Sequence, residues 1–280
     1  QLWQFKKRGD NWLIYNGNYN CYISESKAMY LYAEQTDEAG AGAYDITSQS
    51  TGISLLRSVN PTNSSIPYLH MAGEGNLVAW TAAEPASQWY IEPVSDIKAD
   101  VPEGGYATVC YPFAVSIPES VQVYAAKTVN EATGDMAYLY ANGGLAEGTL
   151  KAGTPAVIKA EAGTQTFAIA SDIEGTADDH ALTGVLAAAS YAEGTNYVLN
   201  AAGTAFVKAA ATGTAAANTA YLPAALDVEE LPFTFTYTGI RNLNVQDGGN
   251  AALMYDLSGR RVQKAEKGIY ITSGKKQLVK

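Results

Sequence analysis

The stretch "LWQF", Leu2–Phe5, sets an aromatic, a spacer and an apolar residue in a row, and the arrangement returns twice downstream. "AYDI" (Ala43–Ile46) and "QWYI" (Gln88–Ile91) repeat it, so Trp3, Tyr44 and Trp89 stand 41 and 45 residues apart. Between them a second piece recurs: "YNCYIS" (Tyr19–Ser24) and "SIPYLH" (Ser65–His70) each carry a Tyr–aliphatic pair after a turn-rich run. A period of this length marks a repeated supersecondary unit whose copies complete one core. The segment "NWLIYN" (Asn11–Asn16), aromatic and aliphatic and bounded by Asn and Gly, has strand character. Residues 1–97 are therefore expected to be one β region with Trp3, Tyr44 and Trp89 in its core, related by approximate three-fold symmetry.

The texture changes after residue 97. Pro102, Gly104, Gly105, Pro112 and Pro118 punctuate short apolar runs, and proline in such runs belongs at edges and turns. "ATVCYPFAVSI", "VQVYAAKTV", "MAYLYA", "PAVIKA", "TFAIA", "NYVLNA", "TAFVKA" and "AYLPA" then follow at short intervals, many separated by Gly-Thr or Gly-Gly. Regular short strands with turn signals predict a β-sandwich over residues 98–238. The alanine-dense Ala210–Asn218, broken by Gly and Thr, leaves room for a helix of three turns at most. The last stretch, residues 239–280, reads as strand "ALMYDL", a turn at Ser258–Gly259, strand "RRVQK", then "GIYIT", a turn at Ser273–Gly274, and "KKQLVK". Tyr255, Leu257, Ile269 and Ile271 recur at period two, which predicts hairpins packed on the preceding domain.

Composition bounds the function. The chain has 280 residues, 47% hydrophobic and 16% charged, with a net charge of −10. It can bury a core, and an acidic field of this size disfavours nucleic acid as a partner. The tail is locally basic: Arg241–Lys280 holds eight basic residues against three acidic ones, read as solvated strand faces that protect edges. No apolar run reaches the length of a membrane helix. The sequence begins with Gln1 rather than Met, which suggests a processed protein or a piece of a larger one. Cys21 and Cys110 fit no metal-ligand spacing and lie in different predicted regions, so two free, buried thiols are expected.

Chemistry is sparse. The two histidines, His70 in "PYLHM" and His180 after Asp178 and Asp179, read as a structural residue and a loop residue. No nucleophile elbow, phosphate loop or dinucleotide fingerprint occurs, and "QDGGN" (Gln246–Asn250) reads as a turn rather than a calcium loop. No metal, cofactor or catalytic residue is called for. Carbohydrate binding needs only a flat aromatic beside amide groups. Trp12, Asn16, Asn18 and Tyr19 in one unit, and Asn63, Asn76 and Trp80 in the next, are the candidates.

The aromatic spacing and "QLW" (Gln1–Trp3) resemble the Gln-x-Trp repeats of ricin-type β-trefoil domains. Tyr44 stands where that family expects Trp, Gln88 adjoins Trp89 without the spacer, and the first unit is incomplete. The second region, from "GGYATVCYPFAVSIPESVQVYAA" through "LKAGTPAVIKAEAGTQTFAI" to "NTAYLPA", resembles C-terminal β modules of secreted and surface proteins of Bacteroidetes. "YDLSGRRV" and "KGIYITSGKKQLVK" are similar to the sorting-type tails of the same bacteria. These resemblances imply a secreted or cell-surface location, a glycan partner and a covalently linked N-terminal catalytic or binding domain. The expectation is an all-β, non-catalytic accessory region: a partial trefoil-like domain, a β-sandwich and a short C-terminal β segment. The alternatives are a structural spacer and sorting or anchoring module without ligand, or an enzyme with an unrecognised site.

Overall fold

A computed structural model describes residues 2–27, 30–49, 52–131, 134–140, 148–170, 181–191, 195–210 and 213–235, together with the strands of the tail. The protein is all-β; among the described residues the helical segments are three 3-10 turns, Glu38–Gly40, Gly73–Gly75 and Pro85–Ser87.

The N-terminal sheet contains β1 (Gln4–Arg8), β2 (Asn11–Asn16), β3 (Cys21–Lys27), β4 (Tyr30–Gln35), β5 (Tyr44–Ser48), β6 (Ile53–Ser58), β7 (Tyr68–Met71), β8 (Leu77–Trp80) and β9 (Trp89–Tyr90). Gly9, at φ +63°, allows the two-residue turn that joins β1 to β2. The pairing repeats. β2 has β1 on one side and, on the other, β3 at Tyr15–Asn16 and β5 at Trp12. β6 has β5 on one side and, on the other, β7 at Arg57 and β9 at Ile53–Ser54. Two copies of one four-strand unit, β2–β5 and β6–β9, thus follow each other, and their hairpins meet through β4 and β8. The strands β1–β2–β5–β6–β9 form a curved wall. Its inner core holds Ile14, Ile23, Tyr44, Leu56, Leu69 and Ala79, with Trp3, Phe5 and Trp89 packed against them. Trp3, Tyr44 and Trp89 do share one core, as the repeat requires.

The second region opens with β10 (Asp96–Val101), β11 (Tyr106–Val109), β12 (Val115–Ser116), β13 (Gln122–Glu131), β14 (Gly134–Tyr140), β15 (Thr149–Leu150), β16 (Ala156–Lys159) and β17 (Gly163–Ala168). It continues with β18 (Thr183–Val185), β19 (Ala189–Ser190), β20 (Asn196–Leu199), β21 (Ala205–Lys208), β22 (Thr214–Ala215), β23 (Thr219–Pro223) and β24 (Glu230–Thr234). The main sheet runs β11-β16-β13-β14-β24-β21-β20-β23-β18, and only β14–β24 is parallel among its described pairs. It curls until β23 returns to β11: Cys110 N donates to Asn218 O at 3.1 Å, and Ala220 N to Thr108 Oγ1 at 3.2 Å. Inside the curl pack Leu139, Val157, Tyr197, Phe206, Leu222 and Leu231. Buried Tyr197 satisfies its hydroxyl by donating to the carbonyls of Leu226 and Val228. On the other face of β11 and β16, the pairs β10–β17 and β12–β15 enclose a second core around Val109, Tyr111, Phe113, Leu150, Ile158 and Phe167. β16 is therefore buried on both faces, which explains its unalternating "AVI". In the alanine-dense stretch, Thr214–Ala215 forms β22, paired with β19; the helix left open there does not include these residues.

The tail forms its own antiparallel sheet, β26-β25-β27-β28, from β25 (Met254–Tyr255), β26 (Arg261–Val262), β27 (Gly268–Thr272) and β28 (Lys275–Val279). These lie in the four segments that the sequence marks as strands. The facing of Tyr255, Leu257, Ile269 and Ile271 lies outside the described side chains. No helix among the described residues is long and apolar enough to cross a membrane.

Candidate functional site

Along complete stretches of the N-terminal wall, every second residue faces inward. Trp12, Ile14 and Asn16 of β2, Cys21 and Ile23 of β3, Ile46 and Ser48 of β5, Ser54 and Leu56 of β6, and Leu69 and Met71 of β7 line one cavity of about 1400 Å³. Leu2–Phe5, Trp89–Val94, and Phe113, Ile169 and Ala170 of the second region also line it. Among its described lining residues Glu92 is the one carboxylate, and there is no Lys, Arg or His. Among its lining side chains Tyr90 (72%), Tyr19 (58%), Val94 (48%), Met71 (38%) and Ile91 (37%) are exposed.

A second cleft of about 340 Å³ lies where the two regions meet. Leu2, Asn18, Tyr19, Ile97, Pro112, Phe113, Leu186, Ala187, Ala217 and Asn218 line it. The Asn-rich turn after β2 builds one wall. Asn16 Oδ1 accepts from Asn18 N at 3.1 Å, and Asn20 adopts φ +50° with its Oδ1 accepting from the Tyr15 hydroxyl at 3.0 Å. That geometry thrusts Tyr19 outward. Asn18 Nδ2 crosses to the second region, donating to Leu186 O and to Asn218 Oδ1. Asn18 Oδ1 and Asn218 Nδ2 have no partner among the described residues.

The sequence-predicted site residues fall at several places in the fold. Trp12 is half-buried, faces the large cavity and carries Lys7 Nζ 4.1 Å from its ring centre. Asn16 is 1% exposed, lines the large cavity, and its Oδ1 accepts from Asn18 N. Asn18 spends both amide hydrogens within the fold. Asn63 is exposed, but its Oδ1 accepts from Ser65 N to form a local turn. Asn76 and Trp80 are exposed on the β7–β8 hairpin, where Trp80 lies 5.9 Å from the His70 ring and borders neither cavity. Of this set, Trp12, Asn16 and Tyr19 line the large cavity, and Asn18 and Tyr19 line the junction cleft. Asn218 and Tyr90 were missed: Tyr90 holds the spacer position of the "QWYI" repeat, and a lone Asn in an Ala-rich loop carries no signal.

Other chemistry is accounted for. His70 Nδ1 lies 2.8 Å from Ser87 Oγ, while Ser87 Oγ donates to Thr81 O at 2.7 Å. The hydroxyl proton is committed to the carbonyl, so the imidazole is the donor to Ser87 and cannot act as its base. Cys21 and Cys110 are free and buried, as expected. Burial raises the Cys21 thiol and pushes Cys110 up to about 12, which favours the protonated, less nucleophilic form of both. Burial first, and the Glu25 carboxylate second, raise Tyr44 above the usual phenol range. Asp178, Asp179 and His180, and Gln246–Asn250, lie outside the described residues. No protein-family profile, curated protein or solved structure matches this chain.

Proposed function

We propose that the chain is a non-catalytic, carbohydrate-binding or adhesion accessory region of a larger secreted or cell-surface protein, and that a glycan binds at the junction cleft. The observation that carries this is Tyr19: a tyrosine 58% exposed, held out by an Asn-rich turn, beside a cleft with free amide groups. The apolar face of a sugar ring stacks on the phenol. Asn18 Oδ1 accepts from one hydroxyl and Asn218 Nδ2 donates to another, which is how a few placed polar groups orient a ligand in a mostly apolar site. The repeated pairing of β2–β5 and β6–β9 supports a partial trefoil-like reading of residues 1–97, and the two layers around Phe167 support a sandwich-like reading of residues 98–238.

Calorimetry of the full chain against a panel of soluble oligosaccharides tests the reading. Tyr19→Ala is expected to weaken the binding glycan at least tenfold, or about 1.4 kcal/mol, with the melting temperature unchanged because the ring is exposed. A panel without any binder, or equal affinity in the variant, refutes it. A second reading, a structural spacer and anchoring module without ligand, is favoured by one observation: Asn16, Asn18 and Asn63 all serve internal hydrogen bonds.

A further inference from the structure

The junction cleft is lined by two unlike sets of groups. One is a pair of amides tied together: Asn18 Nδ2 donates to Leu186 O and, at 2.9 Å, to Asn218 Oδ1. A carbonyl can only accept, so this pairing fixes which way the Asn18 amide points. Both of its hydrogens are spent, and it offers the cleft an acceptor, Oδ1. Asn218, whose Oδ1 is taken, offers a donor, Nδ2. Neither atom has a partner among the described residues, and both side chains line the cleft without lining the large cavity. The other set is apolar. Leu2 and Ile97 pack on the core cluster that contains Phe113, and all three line the cleft. The ten described lining residues include no Asp, Glu, Lys, Arg or His. At about 340 Å³ the cleft stands at the small end of ligand sites, which run from about 300 to 1,000 Å³, so it takes a sugar ring or two rather than a long chain.

We propose that the sugar this cleft selects is an uncharged 6-deoxyhexose, a pyranose with a methyl group where most hexoses carry a hydroxymethyl; the inference rests on the glycan reading and adds the class of sugar to it. Two ring hydroxyls meet the amides, one donating to Asn18 Oδ1 and one accepting from Asn218 Nδ2, while the ring stacks on Tyr19. The methyl enters the apolar lining of Leu2, Ile97 and Phe113, where it leaves no polar atom unpaired. A hydroxymethyl there buries a hydroxyl with no partner among the described residues, which costs the sugar its hydration. A uronic acid buries a carboxylate with no counter-charge in the lining, inside a chain of net charge −10. An acetamido group brings a methyl but also an N–H and a C=O that point opposite ways. With the two open amide atoms occupied by hydroxyls, these lack partners.

The test is calorimetry of the full chain against methyl glycosides that differ only at C6. For galacto, gluco and manno rings, in both the D and L series, the 6-deoxy sugar is compared with its parent hexose and its uronic acid, and N-acetylhexosamines form a further arm. One 6-deoxy sugar is expected to bind roughly fivefold more tightly than its parent, the worth of moving one methyl-sized group out of water, and the matching uronic acid more weakly still. Ile97→Thr keeps the β-branched shape in β10 and puts a hydroxyl into the apolar lining. It should narrow the preference for the 6-deoxy sugar over its parent to below about twofold, and Leu2→Thr should act in the same direction. A parent hexose, uronic acid or N-acetyl sugar that binds as tightly as the 6-deoxy sugar overturns the assignment and leaves the glycan reading standing. A preference unchanged in both variants overturns it too, since the methyl then lies elsewhere. A panel in which no sugar binds sinks the glycan reading and the assignment together.

Discussion

Cys110 directly follows β11 and is buried, with its sulfur 2.4 Å from the position that a Cβ on Gly184 would take. The thiol therefore has no route to water in the folded state, and its pKa rises from the ordinary 9.0 to about 12. In the unfolded chain the same group loses its proton near pH 9. Between pH 9 and 12 the folded state holds the proton more tightly, so stability is complete below pH 9 and falls as pH rises. The slope approaches about 1.4 kcal/mol per pH unit. Urea midpoints at pH 8, 9 and 10 should drop steadily, and Cys110→Ala should flatten the drop; parallel curves for both proteins would refute the assignment. Tyr44 and Tyr111, both raised first by burial, add to the loss above pH 10. The burial of Asn16 was not legible in the sequence. An Asn in an Asn-rich turn looks exposed, but its side chain replaces a backbone partner and is buried for that reason.

At the scale of the element, β16 is the clearest case. Ala156 and Ile158 enter one core and Val157 the other, all fully buried, while Lys159 at its end is exposed. Ile158→Ala should cost about 2–5 kcal/mol in a denaturant titration, and Lys159→Ala less than about 1 kcal/mol; similar costs for the two would contradict the two-faced burial. "PAVIKA" was readable as a strand from composition alone, as were the strands "NWLIYN", "GIYIT" and "KKQLVK". The repeat of Trp3, Tyr44 and Trp89 was also readable, because a core aromatic recurs with the unit that needs it. Pairing order was not. The hairpin contact of β4 with β8 and the curl that brings β23 to β11 depend on side-chain packing between segments far apart, and no local pattern records them. The site was half legible for the same reason: Asn18 and Tyr19 are neighbours in sequence, but their partner Asn218 lies 200 residues away.

Across the whole molecule, the two regions are joined by specific contacts. Gln4 Nε2 donates to Pro112 O at 3.4 Å, Leu2 packs on the core around Phe113, and Asn18 bridges to Leu186 and Asn218. Gly17 lies so close that a Cβ there would meet Pro112 Cβ at 2.4 Å. Gly17→Ala should therefore push the regions apart and convert one calorimetric unfolding transition into two; a single unshifted transition would show that the junction carries no coupling. The parallel joint of β14 to β24 has a consequence in time rather than energy. Ala137 and Tyr138 pair with Phe233 and Thr234, so the main sheet cannot close until nearly all of the second region has emerged from the ribosome. The N-terminal sheet meets no such wait, since its last strand ends at Tyr90. A chain emerging from its N-terminus would carry a folded head ahead of a body still searching for its register, with β14 as the unpaired margin that a chaperone would have to shield.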